Sequence, residues 1–210
     1  MTQGQVRALL ELWPQYGLNP PAAPLNLPRV FGRDAPTVFE IGFGNGDHLF
    51  LRAQAEPDKN FLGVEVHRPG AGRLLMRAQE SGLSNLRVAC IDAVEVLRDW
   101  LPPKCLSEVL IYFPDPWHKK RHHKRRLIQP DFVKLVSSRL ITGGHLRLAT
   151  DWAHYAEQML GVLNAEPMLQ NQSSDGGFIP RPEARSVTKF ETRGTKLGHG
   201  VFDLDYRRVG

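Results

Sequence analysis

VFEIGFGNGD, residues 38–47, decides the fold. A short apolar strand, broken only by Glu40, runs into a turn with glycines at 42, 44 and 46, and a helical pattern covers Asp47–Gln54. Glycine allows a tight turn and lets a ligand approach the backbone closely, so the segment reads as strand, ligand-cradling turn and helix.

The next apolar run, FLGVEV (61–66), carries Glu65, 19 positions after Gly46. Doubly wound nucleotide-binding folds place the acceptor for ribose hydroxyls at about this interval. The pattern then repeats. A helix over 69–81 precedes strand NLRVAC (85–90), with Asp92 just beyond it and a helix over Val94–Trp100. Strand EVLIYF (108–113) follows. An amphipathic helix Gln129–Leu140 is expected to end at Gly143-Gly144, before strand HLRLAT (145–150), Asp151 and a helix Trp152–Leu163. A final alternating strand is VFDLDY (201–206). Strands alternating with helices predict an α/β fold whose mostly parallel sheet is covered on both faces.

Such sheets bind ligands beyond the carboxyl ends of their strands. Glu40, Glu65, Asp92, Asp115 and Asp151 all stand at or near such ends, so five acids are expected on one rim. Asp92 and Asp151, each directly before an apolar helix, also suit helix N-caps.

The dinucleotide fingerprint requires its third glycine one position later than Gly46, where this chain has Asp47, and a carboxylate there repels phosphate. NAD is disfavoured. S-adenosylmethionine carries no phosphate and presents an ammonium, ribose hydroxyls and an adenine amine, which want acceptors. Glu65 is assigned to the ribose hydroxyls and Asp92 to the adenine edge.

The run YFPDPWHKKRHHKRR (112–126) follows a strand end and places Asp115 between two prolines, ahead of Trp117 and a dense cationic ramp. Lys119, Lys120, Arg121, Lys124, Arg125 and Arg126 contribute +6, more than the whole net charge of +5. The basicity is local, as for a surface that docks a polyanion. His118, His122 and His123 have no carboxylate among them and lie among cations, so no metal is expected. Trp117 suits either stacking on a base or packing against its own loop.

A chain of 210 residues at 41% hydrophobic composition supports one sizeable core. Cys90 and Cys105 have no ligand spacing and read as thiols of a reducing compartment. No apolar run reaches bilayer length and no signal region opens the chain, so a soluble cytoplasmic protein is expected, as monomer or homodimer. Residues 1–37 hold Pro14, Pro20, Pro21, Pro24, Pro28 and Pro36 and read as a proline-rich arm, with a short helix around Val6–Trp13, ahead of a domain over 38–210.

EIGFGNGD, FLGVEVH, SNLRVACIDAVEVL, FPDPWHKKRHHKRR, LATDWAHYAEQML, RPEARSVTKFETRG and LGHGVFDL together resemble the bacterial tRNA (guanine-N7-)-methyltransferase family, over about four-fifths of the chain. The resemblance implies a Rossmann-like class I methyltransferase fold: a mostly parallel seven-stranded sheet with an antiparallel C-terminal strand. It implies methyl transfer from S-adenosylmethionine to N7 of a guanosine in the tRNA variable loop. It also implies cofactor contacts from Glu40, Glu65, Asp92 and Asp115 beside the glycines at 42, 44 and 46. Substrate contacts are implied for Lys119 and Asp151, and RNA contacts for Arg121, His122, His123, Lys124, Arg125 and Arg126. Thr188, Lys189, Phe190 and Glu191 are implied near the target base. Lys120 makes the ramp denser than the family pattern, and the segment before Val38 matches no firm part of it.

Guanine N7 has a lone pair and no hydrogen, so its methylation needs orientation and charge stabilisation and no obligatory base; Asp115 is expected to supply both. Two other readings fit parts of the chain. Asp115-Pro116-Trp117 is one residue short of the loops that methylate adenine amines, and a non-catalytic tRNA-binding protein would keep the fold and the ramp.

Overall fold

The computed structural model describes residues 1–183, 185 and 200–210. Its sheet has eight strands, one more than the sequence resemblance implies, in the order β1-β4-β3-β2-β5-β6-β8-β7. These are β1 (Gly17–Leu18), β2 (Thr37–Ile41), β3 (Asn60–Val64), β4 (Leu86–Ala89), β5 (Leu106–Tyr112), β6 (Leu140–Thr150), β7 (Leu169–Asn171) and β8 (Phe202–Arg208). Neighbours from β1 through β6 pair in parallel, and β8 is antiparallel to both β6 and β7.

Both faces of the sheet are apolar because side chains alternate along each strand. Val38, Phe61, Val88 and Leu110 pack with Leu49, Phe50, Leu74 and Leu75 of helices α4 (Asp47–Ala55) and α5 (Arg68–Glu80). Phe39, Leu62, Val109 and Leu148 face the other way. They meet Leu97 and Trp100, Val133 and Val136 of α7 (Pro130–Arg139), and Tyr155 and Met159 of α8 (Ala153–Asn164). Between α5 and α7 a short helix, α6 (Ala93–Glu95), continues as one π-helical turn, Val96–Trp100.

The lead-in is built into this core. Helix α1 (Gln3–Glu11) opens with a capping box from Thr2 and Gln5, and lies on α5 so closely that a Cβ on Gly72 would sit 2.7 Å from the Gln5 carbonyl. Two of the six prolines in this lead-in stand at helix starts. Pro14 opens α2 (Trp13–Tyr16) and Pro28 opens α3 (Leu27–Phe31), where a missing N–H costs nothing. Tyr16 is fully buried, and β1 then pairs with β4, which is the source of the eighth strand.

Helix α7 stops at Arg139, earlier than its glycine pair suggested. Gly143 and Gly144 lie inside β6, where the partner of Leu106 is Leu140 but the partner of Glu108 is His145. The extra residues bulge, with Gly143 at φ +81° and Gly144 where a Cβ would lie 3.0–3.2 Å from three backbone carbonyls, a tight fit.

A chain of ion pairs crosses the sheet on the α4 side. Glu108, on β5, accepts from both Arg52 and Arg147, Glu56 binds Arg52, and Asp205 takes Arg147 and His145. The Arg52 hydrogen bond, opposed by burial and helped by Lys59, holds the Glu56 carboxyl near about 2, below its ordinary 4.5. A depressed carboxyl contributes stability that is complete above its unfolded value and is lost as pH falls through its folded one. The urea midpoint is therefore expected to drop as pH is lowered from 4.5 towards about 2, and Glu56→Gln should remove that part of the pH dependence.

Candidate active site

The neighbours of β2 run in opposite directions along the sheet, β3 and β4 to one side and β5 and β6 to the other. A crevice opens at such a switch point. Here it is a cleft of about 500 Å³ at the carboxyl ends of β2 to β5.

Gly42 and Gly44 line it with φ of +71° and +57°, and a Cβ on either would meet nothing within 4 Å. Their open side leaves the backbone approachable by a ligand. Gly46 does not line the cleft. It is the N-cap residue of α4 at φ +75°, and a Cβ there would lie 2.8 Å from Leu74, so this third glycine serves helix packing. Asp47 beside it pairs with Arg77.

Glu65, Asp92 and Asp115 line the cleft. Glu65 accepts from the N–H of Gly44 with Oε2 at 2.8 Å and from that of His67 with Oε1 at 2.9 Å, which ties it to the glycine turn. Each oxygen keeps a further lone pair for a ligand. Asp92 caps α6, accepting from Val94 N–H at 2.7 Å, so capping and lining are done by one side chain. Asp115 is exposed, and no described residue hydrogen-bonds to it.

Of the five acids expected on the rim, these three line the cleft. Glu40 is 3% exposed and turns away from the cleft into the α4 face, where it accepts from His48 Nδ1 at 2.8 Å. An unpaired carboxylate inside the sheet would be costly, and His48 supplies the partner. Asp151 stands at the end of β6, outside the residues that line the cleft, and does not cap α8, whose N-cap is Trp152.

The loop after β5 is strained at two bulky residues. Phe113 has φ +52° and Trp117 +44°, a region that side chains with a Cβ avoid. The Phe113 N–H donates to the Ala149 carbonyl at 2.8 Å, so the turn is fixed to β6 as it delivers Pro114 and Asp115 to the cleft. Lys120–Arg125 then form a 3₁₀ turn.

Lys119, Lys120, Arg121, Lys124 and Arg125 are exposed, with His122 and His123 half-buried between them. Arg125 lines the cleft and lies 5.1 Å over the Trp117 ring, so Trp117 packs with its own loop. Arg126 leaves the ramp. It is 2% exposed, donates to the Pro116 carbonyl and Gln158, lies over Tyr155, and burial pulls its pKa down. These contacts tie the loop to α8. Thr188, Lys189, Phe190 and Glu191 lie outside the described residues.

Arg125→Ala and Arg126→Ala should consequently separate. The first is expected to weaken tRNA binding and flatten the log–log salt dependence by about 0.7–0.9. The second should lower the unfolding midpoint without changing that slope. Fluorescence titrations at several salt concentrations, alongside urea melts, distinguish them.

No helix among the described residues is long and apolar enough to cross a membrane, and no group of three or more His, Cys, Asp or Glu among them is placed to hold a metal ion.

Residues 34–204 match a protein family described as "Putative methyltransferase". The chain is 54% identical over 207 residues to a tRNA (guanine-N(7)-)-methyltransferase of Idiomarina loihiensis, covering 99% of this chain and 84% of that one. It is equally 54% identical to one of Leifsonia xyli subsp. xyli, over 98% of this chain and 91% of the relative. Among solved structures, a 16S rRNA (adenine(1408)-N(1))-methyltransferase variant from Catenulisporales acidiphilia, crystallised with its cosubstrate S-adenosylmethionine, superposes with a TM-score of 0.57. It shares 16% identity, over 87% of this chain and 89% of that one, which shows the common fold. With a class I sheet, a glycine-lined switch-point cleft and relatives of this identity along nearly all its length, the chain belongs to the tRNA (guanine-N7-)-methyltransferase family.

Proposed function

We propose that this chain transfers the methyl group of S-adenosylmethionine to N7 of a guanine in the variable loop of tRNA. The observation that carries the reading is the meeting, in one cleft, of a Cβ-free glycine cradle with the carboxylates of Glu65, Asp92 and Asp115, beside an exposed cationic turn. The cradle and its acceptors fit a cofactor rich in donors and free of phosphate. Glu65 would take the ribose hydroxyls, Asp92 the adenine amine, and the Gly42–Gly44 backbone the body of the molecule.

When bound, the cofactor supplies an electrophilic methyl group on a sulfonium. The protein's own task is then positional. Guanine N7 needs no deprotonation, so rate comes from holding the purine in line and from favouring positive charge on its ring. Asp115 is an exposed carboxylate on the cleft that takes no hydrogen bond from a described residue, and it can accept from the guanine N1–H and amine, which orients the base and offsets the charge it acquires. Adenine offers no such pair of donors on that edge, so the same contact sets specificity. Lys119, Lys120, Arg121, Lys124 and Arg125 would grip phosphates and bring the loop to the cleft.

The test is to incubate purified protein with methyl-labelled cofactor and unmodified tRNA, with and without the target guanosine, and to identify the labelled nucleoside after digestion. 7-Methylguanosine formed only when the guanosine is present is the expected result. A methylated adenosine, or binding without label transfer, would overturn the reading.

A further inference from the structure

Arg185 is the most deeply buried cation of the described chain outside the ramp, at 1% exposure. Its Nε donates to Asp203 Oδ1 at 2.6 Å and its Nη2 to Asp203 Oδ2 at 2.9 Å, a bidentate pair with an equally buried carboxylate. The guanidinium carbon lies 5.7 Å from the Phe113 ring centre and 6.0 Å from that of Tyr112. Both distances fall within the range at which a cation is attracted to a ring face.

These contacts converge on one row of the sheet. Tyr112 pairs with Ala149 and Ala149 with Asp203, so β5, β6 and β8 are in register where Arg185 crosses them. Phe113, one residue on, is the strained residue whose N–H also binds Ala149. The backbone carbonyl of Asp203 accepts from the Ile179 N–H, at 2.9 Å. A buried ion pair brings little net stability over a well-packed apolar replacement, whereas its two fixed hydrogen bonds define direction.

We propose that Arg185 is a positioning residue for methyl transfer: clamped by Asp203, it presses on the Phe113 turn and fixes where Asp115 stands in the cleft. The proposal rests on the role given above to Asp115. Lysine cannot reproduce the paired hydrogen bonds or the placement of a planar guanidinium beside the rings, so Arg185→Lys relaxes the turn while keeping the charge.

The experiment compares single-turnover methyl transfer at saturating tRNA and cofactor, together with both affinities and thermal midpoints, in five variants. Arg185→Lys and Asp203→Asn are each expected to lower the rate about 100-fold, as misplacement of a reacting group by about 1 Å does, with cofactor and tRNA affinities unchanged. The double apolar replacement of Arg185→Met with Asp203→Leu is expected to fold with a midpoint near that of the parent and to stay slow. Recovery of rate together with stability in that variant would mean that the pair is only structural, and overturns the proposal. In an Asp115→Asn background, Arg185→Lys should add no further loss, since both act through one group; a further loss of equal size would show that Arg185 acts elsewhere. If Asp115→Asn alone were fully active while Arg185→Lys was slow, the reading of Asp115 would fail and the positioning of the turn would stand apart from it.

Discussion

Replacing Asp115 with Asn should slow single-turnover methyl transfer by about 10²–10³-fold, the cost of removing one preorganised electrostatic contact. The side chain is exposed on the cleft and takes no hydrogen bond from a described residue, so the substitution breaks nothing that holds the fold together. Urea midpoint and tRNA affinity should stay at their parental values. The amide turns one of two acceptors into a donor, which opposes the guanine N1–H and amine directly. Rapid-quench measurement with saturating tRNA reads the chemical step; a parental rate would take Asp115 out of the mechanism.

An even more local change should have a comparable effect on cofactor binding. A Cβ at Gly70 would lie 1.8 Å from the Gly44 carbonyl oxygen and 2.8 Å from its carbon, both backbone atoms that cannot swing aside. Gly70→Ala therefore has to push the glycine turn off α5, and with it the Gly44 N–H that Glu65 accepts. S-adenosylmethionine affinity is expected to fall about 100-fold, equivalent to about 2.8 kcal/mol. Gly82→Ala is the matched control, because a Cβ there meets nothing within 4 Å and only its φ of +62° resists alanine. Calorimetric titration of both variants decides the matter. An unweakened Gly70→Ala protein would show that the turn has slack.

The order of strands and helices, the glycine turn, and the place of Glu65 and Asp92 were all legible because they depend on local pattern and on chain order. What escaped depends on parity and on close approach. Glu40 stands where an acid at a strand end suggests a rim, but it shares the face of Val38, two residues back, and so points at α4. A charge inside a strand that is buried on both sides, followed eight residues later by His48, was the available signal. Arg126 looked like the last step of a cationic run; the apolar pair Leu127-Ile128 after it marked the point where the chain re-enters the core. Gly70 and Gly72, poor residues for a helix interior, hinted that something packs against α5. Only the fold shows that these are the Gly44 carbonyl and the Gln5 backbone. In the lead-in, Pro14 and Pro28 read as irregular chain in a list of residues and as helix starts once their position is known.

The place of β8 has a consequence for synthesis. It sits between β6 and β7, both of which the ribosome makes first. Until β8 arrives, β6 presents a bare edge of eleven residues on which Arg147 and His145 await Asp205. A nascent chain stalled before Phe202 would thus carry an open template for pairing with another chain, its edge marked by Arg147, already paired with Glu108, and by His145, both still lacking Asp205. Insertion of the late strand closes that window and brings in Asp203, so completion of the sheet and the pairing of buried Arg185 become the same event in the life of the molecule.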